Sequence, residues 1–211
     1  MPGHAALITA GGKGSRLSSL PGEKPLLKVL DSPMVDWVAA AARGAGVEEL
    51  AISVSETTPL TARRAACLEL EVIHTPGEGY VRDLNFAAQR LHSEAVLILP
   101  CDMPLLKPEL LHQLLEAYDK CSSDSMTVMV PEAVLLRAGV VDPYLEEKEG
   151  RRVGFCGVSV LKRKTILETD PSVYISADYF LCDDISFAVN VNTPADLALA
   201  ERLLLEAQEG I

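Results

Sequence analysis

The stretch LITAGGKGSRLSSLPGEKPLLKV, residues 7–29, decides the fold. It begins with an apolar run typical of a buried strand and passes directly into a turn that contains three glycines. Four basic side chains and one acidic one, Glu23, lie in the first 30 residues; the basic ones are Lys13, Arg16, Lys24 and Lys28. A strand that ends in a glycine turn with basic side chains predicts an α/β fold with an anion-binding loop.

The composition limits the classes of partner. A net charge of −11 argues against a general binder of nucleic acid or of an anionic membrane surface, because such proteins carry a basic face. The apolar runs, such as AVLILP at 95–100, are far too short to span a bilayer. A local basic segment on an acidic chain instead favours a small polyanion. With 211 residues, 48% of them hydrophobic, we expect one domain over residues 1–211.

The cysteine pattern indicates reduced thiols. There are five cysteines, an odd number, and no CxxC pair among them. No charged segment followed by an apolar one marks the chain for export. We therefore expect a cytoplasmic protein with buried, unpaired thiols. The residues do not decide the oligomeric state, for which a homodimer is one option.

Short apolar runs alternate with helical patterns along the first 130 residues. The apolar runs are typical of buried strands and lie at 5–10, 50–55, 70–74, 95–100 and 125–130. Between them lie amphipathic patterns at 34–46, 58–70, 80–92 and 107–120. This alternation predicts a Rossmann-like α/β fold with a doubly wound, mostly parallel sheet.

The rest of the chain is less regular. Residues 153–162 are typical of a further strand, and residues 185–192 of a segment that ends in a strand. A final helix follows, with Thr193 as its N-cap, Pro194 in its first turn and Asp196 near the positive end of its dipole.

Four loops are predicted at the carboxyl ends of strands, where open parallel sheets bind their ligands. They are residues 10–25, 75–80, 100–106 and 190–193. In the first, glycines allow backbone N–H groups to approach a phosphate chain, and Lys13, Arg16 and Lys24 can neutralise it. The loop fits neither a P-loop nor a complete GxGxxG pattern, since Leu17 occupies the third glycine position.

The segments AGGKGSRL and EKP resemble the signature of nucleotidyltransferases that move a nucleotide monophosphate from an NTP onto a phosphorylated acceptor. That group includes the molybdenum-cofactor guanylyltransferases. The resemblance implies that the glycine loop wraps the triphosphate, here through Ala10, Gly11, Gly12, Lys13 and Gly14. It also implies that Arg16 and Lys24 bind the triphosphate oxygens.

A second polar group follows the predicted strand 95–100. Asp102 at a strand end is a natural Mg²⁺ ligand beside a phosphate site, although the residue could equally cap the next helix. Similarity to the superfamily favours the metal role. Asn190 and Asn192 alternate along a predicted strand end, so both should point to one face. One could approach the nucleotide, and Asn192 could support the metal beside Asp102.

Collinear motifs narrow the resemblance. AGGKGSRL, EKPLLKV, GEGYVRDLN, CGVSVLK and NVNTPADLALAE together resemble the archaeal GTP:adenosylcobinamide-phosphate guanylyltransferases, and residues 131–150 are the least alike. The resemblance places nucleotide-binding roles on Gly11, Gly157 and Asn190, and we expect Asn85 or a neighbour to assist guanine recognition. A side chain at Gly157 would block close approach of a ligand.

The resemblance implies an enzyme that transfers GMP from GTP to adenosylcobinamide phosphate with Mg²⁺ as cofactor, releasing pyrophosphate. Arg16, Lys24 and Asp102 would be its catalytic residues. Molybdopterin or phospholactate are alternative acceptors, although RLSSLPGEKP lacks the glycine-methionine lead-in usual in the molybdenum branch. A nucleotide-binding regulator without turnover is the alternative from another class.

Overall fold

A central sheet of eight strands organises the chain in the computed structural model, which describes residues 3–12, 22–141, 143–170, 172–173 and 175–209. A separate two-stranded ribbon is formed by β2 (Lys28–Val29) and β3 (Ser32–Pro33). The strands of the large sheet are β1 (His4–Thr9), β4 (Glu49–Val54), β5 (Glu71–His74), β6 (Ala95–Pro100), β7 (Ser125–Pro131), β8 (Leu145–Lys148), β9 (Arg151–Lys162) and β10 (Asp178–Leu181).

One half of the large sheet is parallel. Its order is β5-β4-β1-β6, with β1 at the centre and every neighbouring pair parallel. The three inner strands of this half, β4, β1 and β6, are largely apolar and buried on both faces, whereas the edge strand β5 exposes Glu71 and His74. The five strands predicted over the first 130 residues are all present, and their bounds differ from the prediction by one residue or less.

The other half of the sheet is mixed. The order continues β6-β9-β7-β10, and β9 is antiparallel to both β6 and β7. β8 extends this half by pairing with β9 in the least regular part of the sequence. Residues 153–162 do form a strand, as predicted, and the structure adds its direction. The α/β class with a mostly parallel sheet is confirmed.

Seven helices lie among the described residues: α1 (Met34–Gly44), α2 (Pro59–Cys67), α3 (Tyr80–Ala88), α4 (Pro108–Asp119), α5 (Glu132–Arg137), α6 (Arg163–Glu168) and α7 (Pro194–Glu209). Proline begins α2 and α4, where its missing N–H costs nothing. The side chains of β1 alternate between two apolar clusters: Ala6 and Ile8 belong to one, Ala5 and Leu7 to the other. This two-sided burial holds the strand ends in place.

The predicted strand within residues 185–192 is wrong. Ile185–Phe187 forms a short 3-10 helix, and the last strand of the described chain is β10, which precedes it. The Asp184 side chain accepts a hydrogen bond from Ser186 N and so favours a turn at this point. Residues beyond the turn run as a loop that touches the sheet through a hydrogen bond from Val191 N to Asp102 O, 2.9 Å long.

The five cysteines are free. Cys101, Cys156 and Cys182 are buried, as expected, whereas Cys121 is half-buried and Cys67 exposed. Within the described ranges, none of the helices has the length and apolar character needed to cross a membrane.

Candidate active site

A cavity of about 480 Å³ opens at the carboxyl ends of the parallel strands. All four loops predicted to meet there contribute to its wall. Its lining residues are Thr9, Ala10, Gly11, Gly12, Lys24, Pro25, Ser53, Thr75, Gly77, Gly79, Tyr80, Asp83, Leu84, Pro100, Cys101, Asp102 and Asn192. The winding of a parallel sheet therefore brings together residues that are far apart in the sequence.

The start of the glycine turn lies on the floor of this cavity. Ala10 N donates to Ser53 O at 2.9 Å, which continues the β1–β4 pairing by one residue. Gly11 O accepts a hydrogen bond of 3.0 Å from Ser55 Oγ. Among the described residues, a Cβ atom added to Gly12 would meet nothing within 4 Å, so on that side the backbone is open to a ligand. Lys13, Gly14 and Arg16 lie outside the described residues.

Lys24 is the basic side chain that the structure places in the cavity wall. It begins a 3-10 turn, Lys24–Leu26, in which Pro25 is buried. Its Nζ donates to Asp102 Oδ2 at 2.5 Å and to Asn192 Oδ1 at 3.0 Å. The Lys24 and Asp102 side chains are only 15% and 16% exposed, so this ion pair is more strongly held than one on the surface.

Asp102 is the second residue after β6 and does not cap a helix. The next helix, α4, begins at Pro108 with Lys107 as its N-cap, which removes the alternative role considered for Asp102. Besides Lys24, the Asp102 carboxylate lies 3.4 Å from Asn190 Nδ2. Asp102 is therefore held by one ammonium group and one amide.

Asn190 and Asn192 lie beside Asp102 although no strand carries them. Asn192 N donates to Asp196 Oδ2 at 2.9 Å. Thr193 N donates to the same oxygen and Thr193 Oγ1 accepts from Asp196 N, a reciprocal cap that confirms Thr193 as the N-cap of α7. The start of α7 thus fixes the backbone of Asn192, and both asparagine side chains reach the Asp102–Lys24 pair.

Oxygen atoms from Asp102 and Asn192 converge on the Lys24 ammonium, which marks a point of cation-sized space between them. A carboxylate and an amide oxygen are ligands that suit Mg²⁺, which commonly takes one or two protein carboxylates and completes its shell with phosphate oxygens and water. In the part of the chain that the structure describes, no three His, Cys, Asp or Glu side chains group as a metal site. The residues present therefore fit a cation shared with a phosphate ligand.

The loop after β5 is organised by a residue that sequence reasoning left without a role. Asp83 Oδ1 accepts hydrogen bonds from Gly77 N at 3.0 Å and Glu78 N at 3.3 Å. Gly77 and Gly79 both have positive φ, +75° and +117°, which only glycine adopts without strain. The sequence contains a pattern that could have predicted this role: Gly77–Gly79 is followed by Asp83 in the first turn of a helix. A carboxylate there commonly binds the N–H groups of the preceding loop.

Asn85 does not reach the cavity. Its Nδ2 donates to Ile166 O at 2.8 Å and its Oδ1 accepts from Gln89, so its polar atoms connect α3 to α6. Asn85 is two positions after Asp83 on α3, which turns its side chain away by about 200° on a helix of 3.6 residues per turn. The prediction that Asn85 assists guanine recognition is not supported by this placement.

Gly157 lies beside the cavity wall but not among its lining residues. It has φ of +96°, near an irregularity in the β7–β9 pairing, and an added Cβ would lie 3.1 Å from Pro100 Cγ. Pro100 lines the cavity. Glycine suits this position because of the positive φ and because a side chain would press on Pro100. Gly157 would therefore affect a ligand in the cavity through Pro100 and not by direct contact.

The Cys101 thiol is not a nucleophile at this site. Burial raises its pKa far above the usual range, and the neighbouring Asp102 carboxylate adds to the shift. A protonated, buried thiol packs as a small apolar group.

The fold and the site define an α/β protein with a polar cavity at the carboxyl edge of its parallel strands, and comparison with known proteins gives its family. Residues 6–152 match the model of the MobA-like NTP transferase domain. The chain belongs to this family and is an enzyme of the nucleotidyltransferase class.

Curated relatives include proteins of similar length and longer ones. The chain is 28% identical, over 94% of its length and 96% of the relative's, to the adenosylcobinamide-phosphate guanylyltransferase of Methanocaldococcus jannaschii. It is 29% identical over its whole length to the bifunctional protein GlmU of Pelobacter propionicus, of which it spans 46%. It is 26% identical, over 62% of its length and 52% of the relative's, to a 2-phospho-L-lactate guanylyltransferase from a Methanocaldococcus species.

Solved structures share the fold over nearly the whole chain. A CMP:2-keto-3-deoxy-manno-octonic acid synthetase complexed with CTP superposes with a TM-score of 0.74 at 18% identity, covering 97% of this chain and 99% of that one. A nucleotidyl transferase from Methanothermobacter gives 0.70 at 14% identity, covering 97% and 98%. At these identities the likeness concerns the fold.

Proposed function

We propose that the protein transfers GMP from GTP to adenosylcobinamide phosphate and releases pyrophosphate. The observation that carries the proposal is the cavity itself: the glycine turn, Lys24, Asp102 and Asn192 meet at one edge of the sheet. The adenosylcobinamide-phosphate guanylyltransferase of Methanocaldococcus jannaschii matches this chain over 96% of its own length, which favours that acceptor over others.

The described side of the cavity suits a triphosphate. Backbone N–H groups at Gly11 and Gly12 can approach phosphate oxygens closely, and Lys24 supplies a positive charge. By resemblance, Ala10, Lys13, Gly14 and Arg16 would complete the phosphate loop. Asn190 would contribute through Asp102, since its amide lies 3.4 Å from that carboxylate.

The chemistry is an in-line displacement at phosphorus. A phosphate oxygen of the acceptor forms a bond to the α-phosphorus of GTP, the bond from that phosphorus to the bridging oxygen breaks, and pyrophosphate leaves with the electron pair. The attacking oxygen is already anionic, so no general base is needed. Positioning and charge neutralisation supply the rate, and Lys24, with Arg16 by resemblance, would neutralise the triphosphate.

Asp102 and Asn192, whose oxygen atoms both contact the Lys24 ammonium, would hold Mg²⁺. When bound, Mg²⁺ would neutralise charge that accumulates on phosphate oxygens in the transition state. Lys24 would then donate to the triphosphate in place of Asp102. Its side chain is long enough for this change because four rotatable bonds separate its ammonium from the backbone.

Pyrophosphate release from purified protein, GTP and each candidate acceptor tests the proposal. We expect release with adenosylcobinamide phosphate and GTP, and little with ATP, CTP or UTP. Release with 2-phospho-L-lactate instead would replace the acceptor, a second candidate that the partial similarity to a 2-phospho-L-lactate guanylyltransferase supports. Molybdopterin is the third acceptor to be tested in the same assay. GTP binding without release for any acceptor would indicate a regulator.

A further inference from the structure

The two described ends of the glycine loop, at Gly11 and Glu23, contact the same segment of the chain. This segment, residues 55–61, is the connection from β4 to α2 together with the first three residues of α2. At one end of the loop, Gly11 O accepts from Ser55 Oγ. At the other end, Glu23 is bound by Leu60 and Thr61 at the start of α2.

The Ser55 contact uses the full bonding capacity of its hydroxyl. A serine hydroxyl has one hydrogen to donate and two lone pairs that accept. The hydrogen goes to Gly11 O at 3.0 Å, while Thr57 N and Thr57 Oγ1 lie 3.3 and 2.8 Å from the oxygen and can fill both lone pairs. Thr58 Oγ1 adds bonds to Ser55 N and Ser55 O, so the segment is rigid where it holds Gly11.

The Glu23 contact is a three-point grip. Oε1 accepts from Leu60 N at 2.7 Å, and Oε2 accepts from Thr61 N and Thr61 Oγ1, both at 2.6 Å. α2 has no side-chain cap of its own: Thr58 does not cap it, and Pro59 has no N–H. The free N–H groups and the helix dipole therefore favour a carboxylate that comes from elsewhere in the chain. Glu23 is that carboxylate.

Glu23 immediately precedes Lys24. Glu23 O also accepts from Leu26 N at 2.9 Å, which closes the 3-10 turn on which Lys24 lies. The contacts therefore form a series. The start of α2 binds Glu23, Glu23 closes the 3-10 turn that carries Lys24, and the Lys24 ammonium binds Asp102.

We propose that Glu23 is a positioning residue: held by Leu60 and Thr61, it fixes the 3-10 turn from which the Lys24 side chain reaches into the cavity. With Ser55 at the other end, the segment 55–61 holds both described ends of the proposed phosphate-binding loop. The consequence for nucleotide affinity rests on the proposed function, whereas the placement of Lys24 does not.

The chain provides a matched control. The Glu49 carboxylate accepts from His92 N, Ser93 N and Ser93 Oγ at 3.0–3.2 Å, again two backbone N–H groups and one hydroxyl. Glu49 begins β4 and so lies at the opposite edge of the sheet from the cavity. In Glu23→Gln and Glu49→Gln alike, an amide nitrogen must face an N–H donor. Both variants should therefore melt at a lower temperature than the wild type.

The first measurement is the rate at which an amine-specific reagent acetylates Lys24, followed by peptide mass spectrometry without nucleotide. Exposed Lys28 is the internal reference. Lys24 should be protected in the wild type, because its side chain is 15% exposed and paired. We expect Glu23→Gln to raise the Lys24 rate about fivefold or more and Glu49→Gln to leave it unchanged. Equal rates in the two variants would overturn the proposal.

A second pair of variants applies if Glu23→Gln does not fold. Thr61→Val removes only the hydroxyl bond to Glu23, and Thr61→Ser retains it. Lys24 should react faster in Thr61→Val than in the wild type and at the wild-type rate in Thr61→Ser. If Lys24 were equally protected in both variants, the hydrogen bonds between Glu23 and Thr61 would not position Lys24, and the proposal would be wrong.

The second measurement is the affinity for a fluorescent GTP analogue. Glu23→Gln should weaken it about fivefold or more relative to Glu49→Gln. Unchanged affinity together with faster Lys24 acetylation would overturn the role of Glu23 in nucleotide binding. If the wild type binds no nucleotide at all, the proposed function fails, while the acetylation rates still decide the placement of Lys24.

Discussion

At the scale of single residues, the centre of the site is the group formed by Lys24, Asp102 and Asn192. The Lys24 ammonium donates to one oxygen of Asp102 and one of Asn192, and the Lys24–Asp102 ion pair is mostly shielded from water. Each of these side chains has a second task in the proposed reaction, Lys24 at the triphosphate and the other two at the cation. Substitutions here should therefore change binding and turnover to different extents.

Lys24→Met removes the ammonium and keeps a similar length of apolar chain. We expect GTP affinity or turnover to fall roughly 10- to 1,000-fold, because charge-assisted contacts to phosphate contribute about 1.5–3 kcal/mol or more. The loss should be smaller for GMP, which lacks the outer phosphates. Lys28→Met, which alters an exposed lysine and gives the same net charge, is the control measured by calorimetry alongside it. Equal affinities for GTP in the two variants would place the triphosphate elsewhere.

Asp102→Asn keeps the shape and removes the charge. If Asp102 acts mainly in the transition state, turnover should fall at least about 100-fold, or about 2.7 kcal/mol, with a smaller change in GTP affinity. Steady-state pyrophosphate release and equilibrium GTP binding together measure the difference.

The control for Asp102→Asn is Asp184→Asn, which disrupts the Lys107–Asp184 ion pair of 2.7 Å, whose residues do not line the cavity. This variant should retain turnover. A fall in rate of similar size in both variants would indicate a general effect of losing an ion pair and remove Asp102 from the catalytic residues.

At the scale of elements, the antiparallel strand β9 is the feature that distinguishes this sheet from a fully parallel one. It lies against β6, whose end supplies Pro100 and Asp102 to the cavity. Gly157 of β9 lies against that wall: it has a positive φ, and a Cβ added to it would lie 3.1 Å from Pro100 Cγ.

Gly157→Ala should destabilise the fold as well as disturb the cavity. A left-handed conformation costs a non-glycine residue about 1–2 kcal/mol, and the contact with Pro100 adds to that cost. Gly139→Ala is the control, because Gly139 has φ of +78° and nothing within 4 Å of an added Cβ. Chemical denaturation should show the larger loss of unfolding free energy in Gly157→Ala. If Gly157→Ala lost no more unfolding free energy than Gly139→Ala, the contact with Pro100 would not contribute to the destabilisation.

At the scale of the whole molecule, ligand binding should appear as stability. The cavity is formed by the ends of several strands and by the loop before α7, so a nucleotide there would join segments from across the chain. The expectation of one domain over residues 1–211 stays a prediction that the cooperativity of unfolding can test.

GTP with Mg²⁺, at 100 times its dissociation constant, should stabilise the folded state by about 2.7 kcal/mol and raise the melting temperature by roughly 5–10 °C. ATP, CTP and UTP at the same concentration should raise it less, and GTP without Mg²⁺ should also give a smaller shift. A thermal-shift series in the four nucleotides, with and without Mg²⁺, is the measurement. Equal shifts for all four would argue against a site selective for guanine.

Local patterns in the sequence are enough to predict most of the elements and the edge of the sheet where the site lies. Alternating apolar and amphipathic segments specify β1, β4, β5, β6 and β7 and the helices between them, because burial on both faces requires apolar strands. Strand ends of a parallel sheet must meet at one edge, so loops such as 10–25 and 100–106 could be placed together before their distances were known. The glycines and basic residues then indicated an anion at that edge.

Only the tertiary structure decided the long-range pairings. That Glu23 binds the start of α2, that Lys24 lies between Asp102 and Asn192, and that Asn85 turns toward α6 depend on side-chain directions across elements. Asn190 and Asn192 reach the site from a loop because the start of α7 and a bond to Asp102 fix that segment, although no strand contains it. Local sequence patterns report which face of an element is apolar, but a contact between distant residues is set by how those faces pack.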